Sequence, residues 1–125
     1  MKNDTQNNSE QDDQKKIGGM KKGGRTVLSP KNSITYESCQ EIKDLIDEQI
    51  GQHKTEIILD CKAVPFLDSA ALELLLQTHN ELRVQGGALK ISGLNPVCRD
   101  ILVATRLINA LYVYEDVHKA TMGRP

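Results

Sequence analysis

The chain is poor in the features that mark several common classes of protein. It has no Trp and one Phe among 125 residues, so aromatic platforms for bases or sugars are not expected. Its formal net charge of -1 gives no overall attraction to nucleic acid or anionic lipid. No apolar run is long enough to cross a bilayer, and the first residues carry no apolar signal-peptide core. These absences predict a cytoplasmic protein with no membrane insertion and no nucleic-acid partner.

Residues for catalysis or metal binding are also sparse. The cysteines, Cys39, Cys61 and Cys98, lie far apart with no histidine at ligand spacing. They predict buried thiols in a reducing compartment and no metal site. Neither a G-x-S-x-G elbow nor a G-x-x-x-x-G-K-[ST] phosphate loop is present. His79 falls on the apolar side of a predicted helix, where packing is the simpler role. We therefore expect no enzyme activity and no cofactor.

The first 25 residues differ in composition from the rest. They are mostly Asn, Gln, Asp, Lys and Gly with little to bury, which predicts a disordered arm over residues 1–25. The end of the arm gathers basic residues among glycines: Lys15, Lys16, Lys21, Lys22 and Arg25. Such a cluster fits a tether to nucleic acid or a membrane surface, or a solubilising lead-in. The lack of aromatic residues and of an amphipathic period favours the lead-in.

From Thr26 onward, short apolar runs alternate with amphipathic segments. Strands are predicted at "TVL", "EIILDC", "ALKIS" and "LYVY", with an extended piece at "SIT". Helices are predicted from a capping box at Ser38–Glu41 to Gly51, over Ala70–Gln85, from Pro96, and at "EDVHKATM". The alternation predicts an α/β fold. We expect a single domain over residues 26–122, with a mostly parallel sheet of four to five strands and helices packed against it.

The dipeptide Asp68-Ser69 stands where a loop ends and the longest predicted helix begins. A side-chain oxygen there accepts a hydrogen bond from a free backbone N–H group, and the helix dipole favours a negative charge. A nucleophilic serine would need a base and an orienting group, and no such set can be assembled from this sequence. Local chemistry therefore leaves two interpretations, a helix cap and a hydroxyl presented for phosphorylation.

The segment from Glu56 to Pro96 resembles the central signature of the STAS domain family. That signature is a strand ending in Asp, an Asp-Ser or Asp-Thr pair, a long helix, and a glycine-bearing strand. The residues at signature positions are Asp60, Phe66, Asp68, Ser69, Leu72, Gly87 and Gly93. A looser match runs from Val27 to about Lys119. The resemblance implies that the predicted α/β domain is a STAS-like domain.

The resemblance also implies a protein similar to bacterial anti-sigma factor antagonists, a monomer or weak dimer. In that group the serine at the position of Ser69 is phosphorylated by an anti-sigma factor that is also a serine kinase of the histidine-kinase-like ATPase class. The unmodified antagonist binds this partner and so regulates transcription, the phosphorylated form releases it, and a serine phosphatase resets the switch. The implied partner-binding residues here are Asp68, Ser69, Ala70, Glu73, Gln77 and Thr35.

Two departures from the family pattern concern these same positions. Thr35 stands about where the antagonists carry an Asp on the partner-facing edge, and Ala70-Ala71 replaces a common Ser-Gly pair. They keep an alternative open. The chain would then be a constitutive STAS subunit of a phospholipid-transport ABC complex or of a chemotaxis-like signalling assembly, with the same helix face docked on its partner.

Overall fold

The computed structural model describes residues 17–22 and 25–123, with side chains from Arg25 onward. The strands in these ranges are β1 (Ile17–Lys22), β2 (Arg25–Pro30), β3 (Glu56–Asp60), β4 (Ala88–Ser92) and β5 (Tyr112–Tyr114). The α-helices are α1 (Tyr36–Gly51), α2 (Ser69–Val84), α3 (Pro96–Ala104) and α4 (Val117–Met122), and a 3-10 turn at Leu107–Asn109 precedes β5.

The strands form one sheet in the order β1-β2-β3-β4-β5. Strand β1 is antiparallel to β2, whereas β2, β3, β4 and β5 are mutually parallel. This arrangement confirms the predicted α/β fold with a mostly parallel sheet. In a parallel sheet of this kind, each helix begins at the edge where the preceding strand ends. The first turns of α1, α2 and α3 are thereby brought to the same edge of the sheet.

The main core lies on one face of the sheet, where α1, α2 and α3 pack. Alternate residues of the central strands, such as Ile57, Leu59 and Ile91, contact apolar residues of these helices. A smaller cluster on the other face joins Val27 and Ile58 to Ala120 of α4. Because both faces are covered, all five residues of β4 are buried. The sequence "ALKIS" alternates apolar and polar residues, yet the structure buries Lys90 as completely as its neighbours.

The N-terminal part of the described chain differs from the expectation. Residues Ile17–Lys22 form a strand whose register with β2 runs from Ile17 opposite Pro30 to Lys22 opposite Arg25. The prediction of a disordered arm up to residue 25 is therefore wrong for this stretch. Low apolar content predicts disorder because the segment can bury little surface. Here the segment lies at the edge of the sheet, where the backbone of β2 supplies its hydrogen-bond partners. The rest of the arm, residues 1–16, 23 and 24, lies outside the described residues.

Helix α1 begins earlier than its sequence pattern indicated. Thr35 is the N-cap, and its backbone N–H donates to the Ser38 hydroxyl at 3.0 Å. Ser38 therefore lies in the first turn, three residues inside the helix, and the predicted start at Ser38 is wrong. The cause is long-range, because Ile34 forms an isolated parallel bridge with Leu67 and donates its N–H to the Phe66 carbonyl at 3.1 Å. This pairing directs the chain into α1 immediately afterwards.

Helix α2 lies within one residue of its predicted bounds, and one of its faces is buried. The buried side chains are Ala71, Leu74, Leu75, Thr78, His79 and Leu82. Leu72 and Leu76 are half-buried. His79 packs as expected, with its ring 5.1 Å from that of Tyr112 in an edge-on arrangement.

Candidate functional site

The carboxylate of Asp68 joins the first turns of two helices. Asp68 is the N-cap of α2, and its Oδ1 accepts the Ala71 N–H at 2.9 Å. Its Oδ2 accepts the N–H of Tyr36, the first residue of α1, at 2.8 Å. Cap chemistry predicts a bond of the first kind from either Asp68 or Ser69, and the structure assigns it to Asp68. Sequence analysis did not predict the second bond, which connects residues 32 positions apart.

Ser69 is the first residue of α2, and its side chain is exposed. Among the residues with described side chains, none forms a hydrogen bond with its hydroxyl. A capping oxygen is supplied by Asp68 instead, so the serine is not required as a structural stop for the helix. The hydroxyl is therefore open to solvent and is held at a fixed place by the helix that follows.

A groove between α1 and α2 opens beside Ser69. It encloses about 430 Å³ and is lined by Tyr36, Glu37, Cys39, Gln40, Lys43, Ala70, Glu73, Leu74 and Gln77. Three of the predicted partner-binding residues, Ala70, Glu73 and Gln77, thus lie together on one wall. The residues of the opposite wall were missed. The strongest sequence signal for them was Tyr36, a rare aromatic in this chain, whose side chain is 79% exposed.

The remaining predicted residue, Thr35, lies next to this groove and not in it. It is half-buried at the N-cap of α1 and lines a smaller pocket of about 250 Å³ together with Ser33, Ser38 and Glu41. Glu37 lines both the pocket and the groove. The structure therefore places Thr35 at the same end of α1 as Tyr36, but on the far side of Glu37.

Acidic side chains outnumber basic ones in the groove, because Glu37 and Glu73 line it beside a single lysine. Burial raises the pKa of the Cys39 thiol, and the charges of Asp68 and Glu73 raise this pKa further. Lys43 is the basic residue on the groove wall, and its Nζ pairs with Asp47, one turn along α1, at 3.3 Å. The positive charge is thus partly neutralised within α1, and a partner for this groove needs cationic or apolar groups facing it.

Other chemistry-bearing side chains lie away from the groove. Cys61 and Cys98 are fully buried, and burial raises the pKa of both thiols, which disfavours the reactive thiolate. Across residues 25–123, no group of three or more His, Cys, Asp or Glu side chains is arranged to hold a metal ion. None of the helices in the described part of the chain has the length and apolar character needed to span a membrane.

The two backbone donors give Asp68 a measurable pH signature. The N–H groups of Ala71 and then Tyr36 lower the pKa of its carboxyl below the ordinary value of 3.8. A lowered folded-state pKa means that the carboxylate stabilises the fold above the unfolded-state pKa, and that this stabilisation is lost as pH falls through the folded-state pKa. We expect Asp68→Asn to lower the urea unfolding midpoint at pH 7, with a deficit that shrinks below about pH 4.

The matched control is Asp44→Asn, since Asp44 lies on the exposed side of α1 and accepts a side-chain bond from Gln40. Because this substitution removes a charge but no backbone hydrogen bond, it should lower the urea midpoint at pH 7 much less than Asp68→Asn does. Parallel curves for the wild type and Asp68→Asn between pH 7 and pH 3 would contradict the assignment of both backbone bonds to this carboxylate.

Comparison with known proteins places these features in a family. The chain matches the family model of the STAS domain over residues 16–120, a span that includes strand β1. It is 21% identical over 94 residues to the anti-sigma F factor antagonist of Paenibacillus polymyxa, covering 74% of this chain and 80% of that protein.

Solved structures with the same fold include two of proteins described as anti-sigma factor antagonists. A candidate anti-sigma factor antagonist from Thermotoga maritima has a TM-score of 0.80 at 17% identity, covering 85% of this chain and 92% of that one. The Bacillus cell fate determinant SpoIIAA in its phosphorylated form has a TM-score of 0.67 at 18% identity, covering 85% and 96%. At these identities the structural likeness shows the shared fold, and the family match over most of the sequence shows that the chain belongs to the STAS domain family.

Proposed function

We propose that this chain is an anti-sigma factor antagonist whose binding to its partner is switched by phosphorylation of Ser69. The observation that carries the proposal is the position of Ser69, exposed at the first turn of α2 and directly beside the α1–α2 groove. The relatives named as anti-sigma factor antagonists support the general role. The proposed partner is an anti-sigma factor that is also a serine kinase, with a separate serine phosphatase and a cytoplasmic site of action.

The surroundings of Ser69 suit a site of reversible phosphorylation. The hydroxyl is accessible to an active site that approaches from solvent, and the rigid first turn of α2 fixes its direction. The positive end of the helix dipole favours a phosphate group there. In this proposal the partner kinase supplies the catalytic groups, and the domain supplies the hydroxyl that is modified.

The proposed partner surface combines apolar and acidic groups. Tyr36 and Phe66 are 79% and 46% exposed, and both lie beside Asp68 at this end of the sheet. Glu37 and Glu73 line the α1–α2 groove together with Tyr36. A stable interface buries about 800 Å² on each protein, so the contact would extend along the exposed side of α2 to Gln77 and Glu81. The complementary partner surface is apolar at its centre and basic around it.

Phosphorylation would act on this surface by adding charge. A phosphate brings about -1.5 to -2 charges to a position next to Asp68 and near Glu73. Within an interface these charges repel one another and lose their hydration. A difference of about 3 kcal/mol between the modified and unmodified forms would weaken binding roughly a hundredfold, enough to release the partner without a large rearrangement of the domain.

A pull-down from native extract tests the proposal. We expect the wild type and Ser69→Ala to retain a histidine-kinase-like ATPase and Ser69→Glu to lose it. Asn109→Glu is the matched control, because it adds the same charge to an exposed position in the turn before β5, at the edge of the sheet opposite Ser69, and should retain the partner. Mass spectrometry of the chain isolated from its native cells should find phosphate on Ser69 in at least one growth condition.

Two outcomes would contradict the proposal. One is an unmodified Ser69 peptide in every growth condition tested. The other is recovery of a transporter nucleotide-binding subunit or a chemotaxis-like assembly in place of the kinase, with binding lost in Ser69→Glu although no kinase is present. That result would select the constitutive assembly subunit.

A further inference from the structure

Asp68 is placed between the modification site and the groove. One carboxylate oxygen accepts the Ala71 N–H inside α2, and the other accepts the Tyr36 N–H of α1 at 2.8 Å. The backbone adds a second connection here, because the Asp68 N–H donates to the Ile34 carbonyl at 3.3 Å. Asp68 therefore has both oxygens engaged within the domain, and Ser69 is bonded directly to it in the chain.

We propose that Asp68 is a positioning residue that transmits the charge state of Ser69 to the α1–α2 groove, because a negative group on Ser69 weakens the hydrogen bond between the Asp68 carboxylate and the Tyr36 N–H. The coupling needs only a charge at Ser69. Its place in regulation rests on the function proposed above. Asp68 thus acts on a partner through the position of Tyr36 and not by direct contact.

A negative charge at Ser69 weakens the two hydrogen bonds of the carboxylate unequally. Ala71 belongs to the same helical turn as Asp68, so the geometry of α2 maintains that bond. Tyr36 lies on a separate element and is joined to Asp68 by one carboxylate oxygen across the site. Repulsion from a neighbouring anion therefore displaces the carboxylate most readily away from Tyr36. The exposed ring of Tyr36 lines the groove with Cys39 and Glu73, so a shift there changes the surface that a partner meets.

A test of this coupling must separate the effect of a charge at Ser69 from the effects of the other charged groups near the carboxylate. Glu73 on α2 and Glu37 on α1 line the same groove. In addition to burial, the charges of Asp68 and Glu73 both raise the pKa of the Cys39 thiol. A response to Ser69→Glu must therefore be compared with a neutral side chain of the same shape. Ser69→Gln is that control.

Amide NMR on the full chain tests the coupling without any partner. In the wild type, the Tyr36 and Ala71 amide signals should titrate together at acid pH, and Asp68→Asn should abolish both titrations. In Ser69→Glu, the Tyr36 signal should move toward its position in Asp68→Asn, and its hydrogen exchange should become roughly tenfold faster, the effect of losing a hydrogen bond to a charged acceptor. Ser69→Gln should leave both near wild type, and Ala71 should respond less than Tyr36.

Equal Tyr36 exchange in Ser69→Glu and Ser69→Gln would overturn the proposal, as would a Tyr36 amide that does not titrate with Ala71. The result is independent of the function proposed above. A pull-down that recovers no kinase leaves the coupling measurable, and a failed coupling leaves a direct electrostatic switch at Ser69 open to the binding test.

Discussion

A Lys90→Ala variant should lose about 3–5 kcal/mol of unfolding free energy, the cost of breaking a buried ionic group and leaving a cavity. Lys90 is 2% exposed in the middle of β4. Its ammonium group has three donors, and all of them are used. It donates to the carbonyls of Ala120 and Gly123 at 2.9 and 2.7 Å and pairs with Glu56 at 3.0 Å.

Removal of this side chain would take away the donor to the Ala120 carbonyl in α4 and to the Gly123 carbonyl just after the helix. Helix α4 has six residues and lies over the smaller of the two core clusters, so it depends on this attachment. We expect hydrogen exchange in α4 to rise together with the loss of global stability. Urea unfolding followed by circular dichroism measures the second quantity.

Lys62→Ala provides the matched control. Lys62 also pairs with a carboxylate, Asp60, but the distance is 3.9 Å and its side chain is 75% exposed. An ion pair of this kind contributes about 0–1 kcal/mol. If Lys90→Ala cost no more than Lys62→Ala, the buried network would not hold α4 in place. Lys90→Met, which keeps most of the volume, should cost less than Lys90→Ala and would separate the cavity from the lost polar contacts.

A Gly87→Ala variant should be destabilised by about 3 kcal/mol, the upper end of the usual cost of overpacking. A Cβ atom at residue 87 would overlap the Thr55 carbonyl oxygen and lie 2.7 Å from its carbon. These are backbone atoms, and the same carbonyl accepts the Ala88 N–H at 2.9 Å as β4 begins. The strand could not admit the methyl group without moving away from the turn that precedes β3.

Gly51→Ala is the control for this substitution. Gly51 is the last residue of α1, and no atom lies within 4 Å of a Cβ placed there. Replacement should be neutral or should stabilise by about 0.4–1 kcal/mol, because alanine restricts the unfolded chain. Thermal unfolding compares the two variants directly. A similar melting temperature for both would mean that the Gly87–Thr55 approach is not a tight packing constraint.

The parts of this protein that sequence analysis predicted well depend on neighbours in the chain. The positions of α2 and of the central strands follow from apolar spacing, and the Asp68 cap follows from the demand of free N–H groups at a helix start. Ser69, Glu73 and Gln77, which the family resemblance implies as partner-binding residues, are all exposed in the structure. Their participation in partner binding remains a prediction.

Prediction and structure differ where a distant segment of the chain determines the local structure. The start of α1 depends on the bridge between Ile34 and Leu67, and strand β1 depends on pairing with β2. The two adjacent glycines after α2 show the same contrast between a local cause and a long-range cause. Gly86 has a φ of 81°, as a helix C-terminus often requires, and it directly follows the predicted end of the helix at Gln85. The role of Gly87 is set by Thr55, 32 residues earlier in the chain, and no local pattern reports that contact.

By itself the sequence determined the α/β fold, its central helix and the serine at the start of that helix, because spacing and capping act over one or two helical turns. Only the tertiary structure decided that the Asp68 carboxylate reaches Tyr36, that Lys90 is buried beneath α4, and that the wall facing Glu73 belongs to α1. These contacts join segments roughly thirty residues apart. They depend on the order of the strands in the sheet, which local side-chain chemistry does not determine.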